Sequence, residues 1–294
     1  MSRRNWSLFL TAGLMWGIPY LFIRIAVRDF SPAFIVFARV FIGAVILIPI
    51  AIHQKSLRAA IRGAKFVFLY ALCEMIGPWF LITKAETRIS SGLTGLLIAT
   101  TPIWSTIFTA MYGDRSVWHA KRLAGILIGF IGIVALVGIE SFSGTSPLWA
   151  IAFVLVSAIG YAFAVIMVTR ALPGVSGIAI NAVAMSMTSV IYAPFAILQW
   201  PKHHVSSSGI IALLVLGLVC TVLAFIVFFI VLHEIGAARA SLVTYLNTAF
   251  AVVLGVLFLS EPLTLGIGIG LPMVLVGSYF ASRKTREPLT LAEA

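Results

Sequence analysis

Two ionisable side chains lie inside long apolar runs, where a charge costs at least ~2.5–3.5 kcal/mol and normally faces protein or water. Arg39 is the seventh residue after Pro32, and Glu74 the ninth after Lys65. At about 1.5 Å of helix rise per residue, Arg39 stands about 10 Å below one edge of a roughly 30 Å apolar layer, and Glu74 about 16 Å below the same edge. Two long side chains can bridge the difference. Arg39 and Glu74 therefore read as an intramembrane charge pair. Glu74 has two further readings: a proton carrier or contact for a substrate amine, and a neutral acid hydrogen-bonded within a bundle.

A second set is polar and central to two other apolar runs. Thr100 and Thr101 precede Pro102, which removes a backbone donor and leaves carbonyls available. Thr244, Tyr245, Asn247 and Thr248 occupy the corresponding place later in the chain. Interrupted helices of this kind form transporter sites; the alternative is ordinary interhelical hydrogen bonding, worth ~0.6 kcal/mol on average. Helical spacing puts Thr100 and Trp104 on one face, and Thr244, Tyr245 and Thr248 on another. A third set is aromatic and soft: Trp16 and Tyr20 near Pro19, Met75, Pro78 and Trp79 after Gly77, then Tyr161, Phe163 and Phe225. Such a lining suits apolar or aromatic solutes. Trp6, Trp118, Trp149 and Trp200 stand at run ends and read as interface anchors.

Enzyme chemistry finds no support. There is no P-loop, HExxH or GxSxG. His203 and His204 are adjacent, so they do not converge on one helix face. Cys73 and Cys220 lie mid-run with no metal or disulfide spacing. No metal and no cofactor is expected, and any energy input must come from gradients.

The elements that must position these residues are helices in a bilayer. The chain has 294 residues, 61% hydrophobic and 10% charged, against about 45–50% and about 25% in a soluble domain. Apolar runs at 6–27, 32–52, 65–83, 92–112, 121–139, 147–169, 177–199, 209–232, 238–259 and 264–282 each approach the roughly 20 residues that span a membrane. They are continuous, which excludes the ten-residue alternation of an outer-membrane barrel. The first run continues through Trp16, Pro19 and Tyr20 without a small-residue cleavage site, and reads as a retained helix. The formal charge of +11 suggests nucleic acid until its distribution is seen. With the N-terminus inside, fourteen Lys and Arg fall on inner segments and five (Arg24, Arg28, Lys84, Arg88 and Lys202) on outer ones. That is the positive-inside bias, with both termini cytoplasmic, so the partner is the lipid bilayer and not nucleic acid.

The runs fall into two sets of five. Residues 66–114 align with 213–261 at a constant offset of 147, pairing Cys73 with Cys220, Thr101 with Thr248 and Asp114 with Glu261. Further on the offset becomes 145, pairing Gly125 with Gly270 and Gly132 with Gly277. An odd-numbered repeat used twice must be inverted, with a site expected near the midplane between the halves. The boundary falls in the loop from Glu140 to Pro147, giving repeats 1–140 and 141–294. Gly125, Gly129 and Gly132 share a face, as do Gly266 and Gly270, and small residues at this spacing let helices pack closely; the same face could serve a homodimer.

Trp16-Gly17, Ser31-Pro32 leading to Arg39 and Gly43-Ala44, Ser90-Ser91-Gly92 entering Thr100-Thr101-Pro102, and Gly236-Ala237-Ala238 through Ser260-Glu261-Pro262-Leu263-Thr264 resemble the EamA-type branch of the drug/metabolite transporter superfamily. The resemblance covers nearly the whole chain and is nearest to bacterial exporters of amino acids, aromatic ones included. Departures are Asp114 at the acidic end of the fourth helix and Ile159-Gly160 in place of a second Trp-Gly. The resemblance implies an all-α membrane protein of ten helices, two inverted five-helix bundles around a central cavity, exporting small metabolites across an inner (plasma) membrane by alternating access. The rival readings are a drug or nucleotide-sugar-like solute carrier and, in another class, a non-transporting scaffold or lipid-handling protein.

Overall fold

The computed structural model describes residues 2–113, 119–142, 146–235, 240 and 243–282. Among these there is helix and no strand. The helices are α1 (Arg3–Ala26), α2 (Pro32–His53), α3 (Ala64–Ala85), α4 (Ser91–Met111), α5 (Ala120–Phe142), α6 (Leu148–Ala171), α7 (Gly177–Leu198), α8 (Ser207–Ile235), α9 (Val243–Leu259) and α10 (Leu265–Ser282). A short helix, Leu57–Arg62, precedes α3. The first eight labelled are long and apolar enough to cross a membrane; α9 and α10 are apolar but shorter. Asp114, Arg115, Trp118, residues 143–145 of the expected boundary loop, Gly236-Ala237-Ala238, Arg239 and the basic residues after 282 lie outside the described residues.

Several helices begin on a hydroxyl that caps an orphan N–H. Ser31 accepts from Phe34 N, Ser90 from Leu93 N and Ser206 from Gly209 N. In α2, Pro32 follows its cap directly, where a missing donor costs nothing.

The halves interlock. Helix α1 packs on α8 and α9, and α6 on α3 and α4, so each half's first helix lies against the other half. Helix α2 packs along α7, and α5 along α10. Glycine permits the first crossings. A Cβ on Gly17 would come 2.8 Å from the Asn247 carbonyl oxygen of α9, and one on Gly160 would come 2.7 Å from the Cys73 carbonyl oxygen of α3. The α5–α10 seam is where the glycine stripe is used: a Cβ on Gly277 would meet Gly129 Cα at 2.5 Å and the Gly125 carbonyl oxygen at 2.7 Å. These glycine faces are therefore spent inside the chain.

Among the described residues three apolar clusters result. The largest draws mainly on α1, α4, α5, α6 and α10, with residues of α8 and α9; the second joins α2, α3, α7 and parts of α6 and α8; a small third joins α1, α8 and α9 through Phe9, Val231 and Val243. Tyr161 of α6 packs against the first two.

Candidate functional site

Glu74 and its repeat counterpart Thr221 each sit in a π-turn, Leu72–Ile76 in α3 and Leu218–Leu223 in α8. The offset of 147 carries the first onto residues 219–223, within the second. A π-turn adds a residue to one turn and re-aims its side chains, and it recurs at functional sites. In α8 the widened turn lets the Thr221 hydroxyl donate to the Leu216 carbonyl five residues back, at 2.8 Å. In α3 it presents Glu74, half-buried, with Oε2 enclosed and without a hydrogen-bond partner.

The ion pair between Arg39 and Glu74 does not form. Arg39, 5% exposed, instead crosses from α2 to the other half: its Nε donates to Thr221 Oγ1 at 3.4 Å, and its guanidinium carbon lies 4.0 Å from the Trp79 ring centre. The physical reason is direction. Depth along the bilayer brings the two charges to similar levels, but α2 faces α7 and the π-turn of α8, which supplies the acceptor. Tyr161 lies within electrostatic reach of Arg39, Glu74, Tyr20 and Tyr70. Tyr70 donates to Asn181 Oδ1 at 3.2 Å, and Asn181 Nδ2 returns to the Gly177 carbonyl. Trp79 stacks on Arg39, and Tyr20 and Tyr161 lie within its electrostatic reach; Tyr20 is 7% and Trp79 6% exposed, and Tyr161 is partly buried.

Other expected residues go elsewhere. Trp16 packs on Phe225 and Phe228 of α8, with ring centres 5.9 and 4.5 Å away. Met75 is fully buried, and Pro78 lies against Gly160 with its carbonyl accepting from Ser157. Helix α4 is interrupted, its two parts being Ser91–Ile98 and Thr101–Met111. The carbonyls expected to be available there are taken, however. Thr100 and Thr101 hydroxyls donate to Leu97 O and Ile98 O at 2.7 Å, and Ser278 of α10 donates to Ala99 O at 2.9 Å. Short hydroxyls satisfy freed carbonyls at once, so this break is self-sealed. Trp104 bonds Thr100 and packs edge-on to Phe130 of α5, and Phe163 packs on Phe108. Thr248 donates to Thr244 O and to Gly95 O of α4, beside Asn247. Tyr245 is partly buried on the same helix.

At the end of the bundle where α9 gives way to α10, Glu261 joins the halves. Its carboxylate accepts from Ser91 N and Ser91 Oγ at 2.8 Å and from Gly92 N at 3.1 Å. Ser90 takes the next N–H, so the first turn of α4 is capped partly from its own half and partly from the other. A cavity of about 290 Å³ opens beside this latch, lined in part by Arg24, Arg28, Arg88, Ser90, Glu261 and Thr264. Behind it Glu86, the residue after α3, is fully buried, and neither carboxyl oxygen has a partner. Arg24 reaches the backbone carbonyl of Glu86 rather than its carboxyl. Burial, reinforced by Glu261 and opposed by Arg24 and Arg39, holds the Glu86 carboxyl well above the usual carboxylate range.

Sequence reasoning missed Thr221, Asn181, Glu86 and the role of Glu261. Thr221 was signalled as the repeat partner of Glu74, and Asn181 as an amide in an apolar helix. Glu86 sits among loop residues and carries no local sign of burial.

The sequence pattern described as the EamA-like transporter family matches residues 6–138 and 148–283 of this chain. Among similar proteins are the uncharacterized transporter YoaV of Bacillus subtilis, 26% identical over 92% of this chain and 94% of its own, and an uncharacterized transporter of Archaeoglobus fulgidus, 26% identical over 96% and 99%. The uncharacterized inner membrane transporter YedA of Escherichia coli is 24% identical over 92% and 90%. A protein solved by crystallography has the same fold, with a TM-score of 0.67 and 17% identity over 96% of this chain and 97% of that one.

Proposed function

Because this chain belongs to the EamA-like transporter family, a membrane transporter and not an enzyme, we propose that it exports small amphiphilic metabolites, amino acids with aromatic or hydrophobic side chains first among them. The observation that carries this reading is the group at the seam of the halves: Arg39 over Trp79, with Tyr20 and Tyr161 near it and Glu74 beyond. Charged and aromatic groups set together at mid-depth fit a solute with polar ends and an apolar body. In this reading ten helices cross the inner membrane, α9 and α10 included, as inverted repeats 1–140 and 141–294. Both termini are cytoplasmic, and the Glu261 latch closes the outer side. Rocking of the halves then exposes a central cavity to each side in turn.

The test is uptake of labelled amino acids into proteoliposomes of the purified protein, with and without a pH gradient. Saturable uptake above empty liposomes is expected, and the gradient's effect reports whether protons are coupled. Absence of uptake by protein shown to be folded rejects the amino acid reading.

A further inference from the structure

Arg39 is a buried cation whose fork is only partly used. A guanidinium carries five N–H donors in a rigid plane. Here Nε is committed to Thr221 Oγ1, and the flat face of the group lies on Trp79. The two terminal nitrogens, with four N–H groups between them, have no hydrogen-bond partner among the described residues and are not fully enclosed, so they border accessible space. No described carboxylate pairs with them: Glu74 Oε2 and both oxygens of Glu86 are themselves without donors. A charge at mid-depth normally faces a partner group or water. Glu86 acts on Arg39 only at a distance and forms no hydrogen bond with it, so the surroundings supply position without a paired counter-charge. Thr221 gives its own proton to Leu216 O, so its lone pair is turned to Nε, and this together with the Trp79 stack fixes the plane in which the terminal fork points. Tyr20 of α1 and Tyr161 of α6 lie within electrostatic range of Arg39.

We propose that Arg39 is the receptor for a carboxylate on the transported solute, held bidentately by the terminal nitrogens beside the aromatic wall of Trp79, Tyr20 and Tyr161. This rests on the transport reading above and names the end of the solute that the site grips. A guanidinium fork matches the two oxygens of a carboxylate, and its planar stacking on an aromatic ring pre-sets that geometry. One cation balances one negative charge, so the ligand class is a monocarboxylate with an apolar body. Both halves contribute, the cation from α2 and the Thr221 anchor from α8, so binding at this point also reports how the halves sit.

Thermal unfolding of the purified protein in detergent, with three probes, tests this: L-phenylalanine, 3-phenylpropionate (carboxylate without amine) and phenethylamine (amine without carboxylate). L-Phenylalanine and 3-phenylpropionate are expected to raise the midpoint, and phenethylamine to leave it unchanged. Arg39→Gln should weaken the response at least about tenfold, the order expected when a charge-assisted pair is lost. Arg39→Lys, which keeps the charge and loses the fork, should fall between and guards against a Gln variant that does not fold. Equal stabilisation by phenethylamine and L-phenylalanine, or an undiminished response in Arg39→Gln, overturns the assignment while leaving amino acid transport standing. Stabilisation by 3-phenylpropionate alone, dependent on Arg39, upholds it and rejects amino acids as the solute. If no probe stabilises the wild-type protein, the assignment falls, and uptake into proteoliposomes decides separately whether amino acids are carried.

Discussion

Glu261, in the link between α9 and α10, binds both Ser91 and Gly92 at the first turn of α4, 170 and 169 residues away in sequence. The carboxylate meets two orphan N–H groups and the positive end of a helix dipole, each of which favours negative charge. A single side chain thereby ties the second half to the first at one end of the bundle.

Removing that tie should loosen the end it closes. Glu261→Ala is expected to lower stability by about 2 kcal/mol, the sum expected for lost charge-assisted caps. In a background lacking Cys73 and Cys220, a cysteine placed at Arg88 should react faster with a polar maleimide once Glu261 is replaced. Unchanged labelling would show that the contact is not a gate.

The buried Glu86 carboxyl makes stability depend on pH. Its folded value lies above the unfolded carboxyl value of about 4.3, so the folded state holds the proton more tightly. The stability this contributes is fully present below that unfolded value and is lost as pH rises through the folded one. Glu86→Gln keeps the neutral shape without the titration. Relative to the wild type it should therefore be more stable at pH 9 than at pH 5, read by thermal unfolding at both.

Glu74 bears on coupling. If it carries the proton, Glu74→Gln abolishes the pH dependence of transport while downhill exchange of solute persists. A variant whose transport keeps the wild-type pH profile removes Glu74 from that role and leaves it as a polar group of the π-turn.

The α5–α10 seam should not tolerate bulk. Gly277→Leu must push apart backbones that already touch at Gly129, and overpacking of this kind costs about 1–3 kcal/mol or more. The expected result is poor recovery from the membrane and a lowered midpoint. Leucine at Gly138, where an added Cβ meets nothing within 4 Å, is the control and should behave as wild type.

Much of the architecture was legible before any coordinates. A bilayer demands about 20 apolar residues per helix, so hydropathy alone marks the runs that became α1 to α10. The glycine faces marked the fifth and tenth runs for close packing, since only small side chains let helices approach so closely, and Pro102 announced the break in α4. Site residues divided along a physical line. Trp79 and Tyr161 do stand near Arg39. Thr100, Thr101 and Thr248 spend their hydroxyls on nearby carbonyls, a choice that spacing could not reveal.

What the chain settles by itself is therefore everything set by solvent and period: which segments are apolar, which faces are small, and where charges lie in depth. Depth is a one-dimensional coordinate, and it misled for Arg39 and Glu74 because two groups at similar height can point to different neighbours. Azimuth and partner are decided only when helices from both halves pack. Tertiary structure alone gave Arg39 its Thr221 and Trp79, buried Glu86 without a donor, and set Glu261 on the first turn of α4. Each is a contact between residues far apart in the chain, chosen by the shape of the bundle.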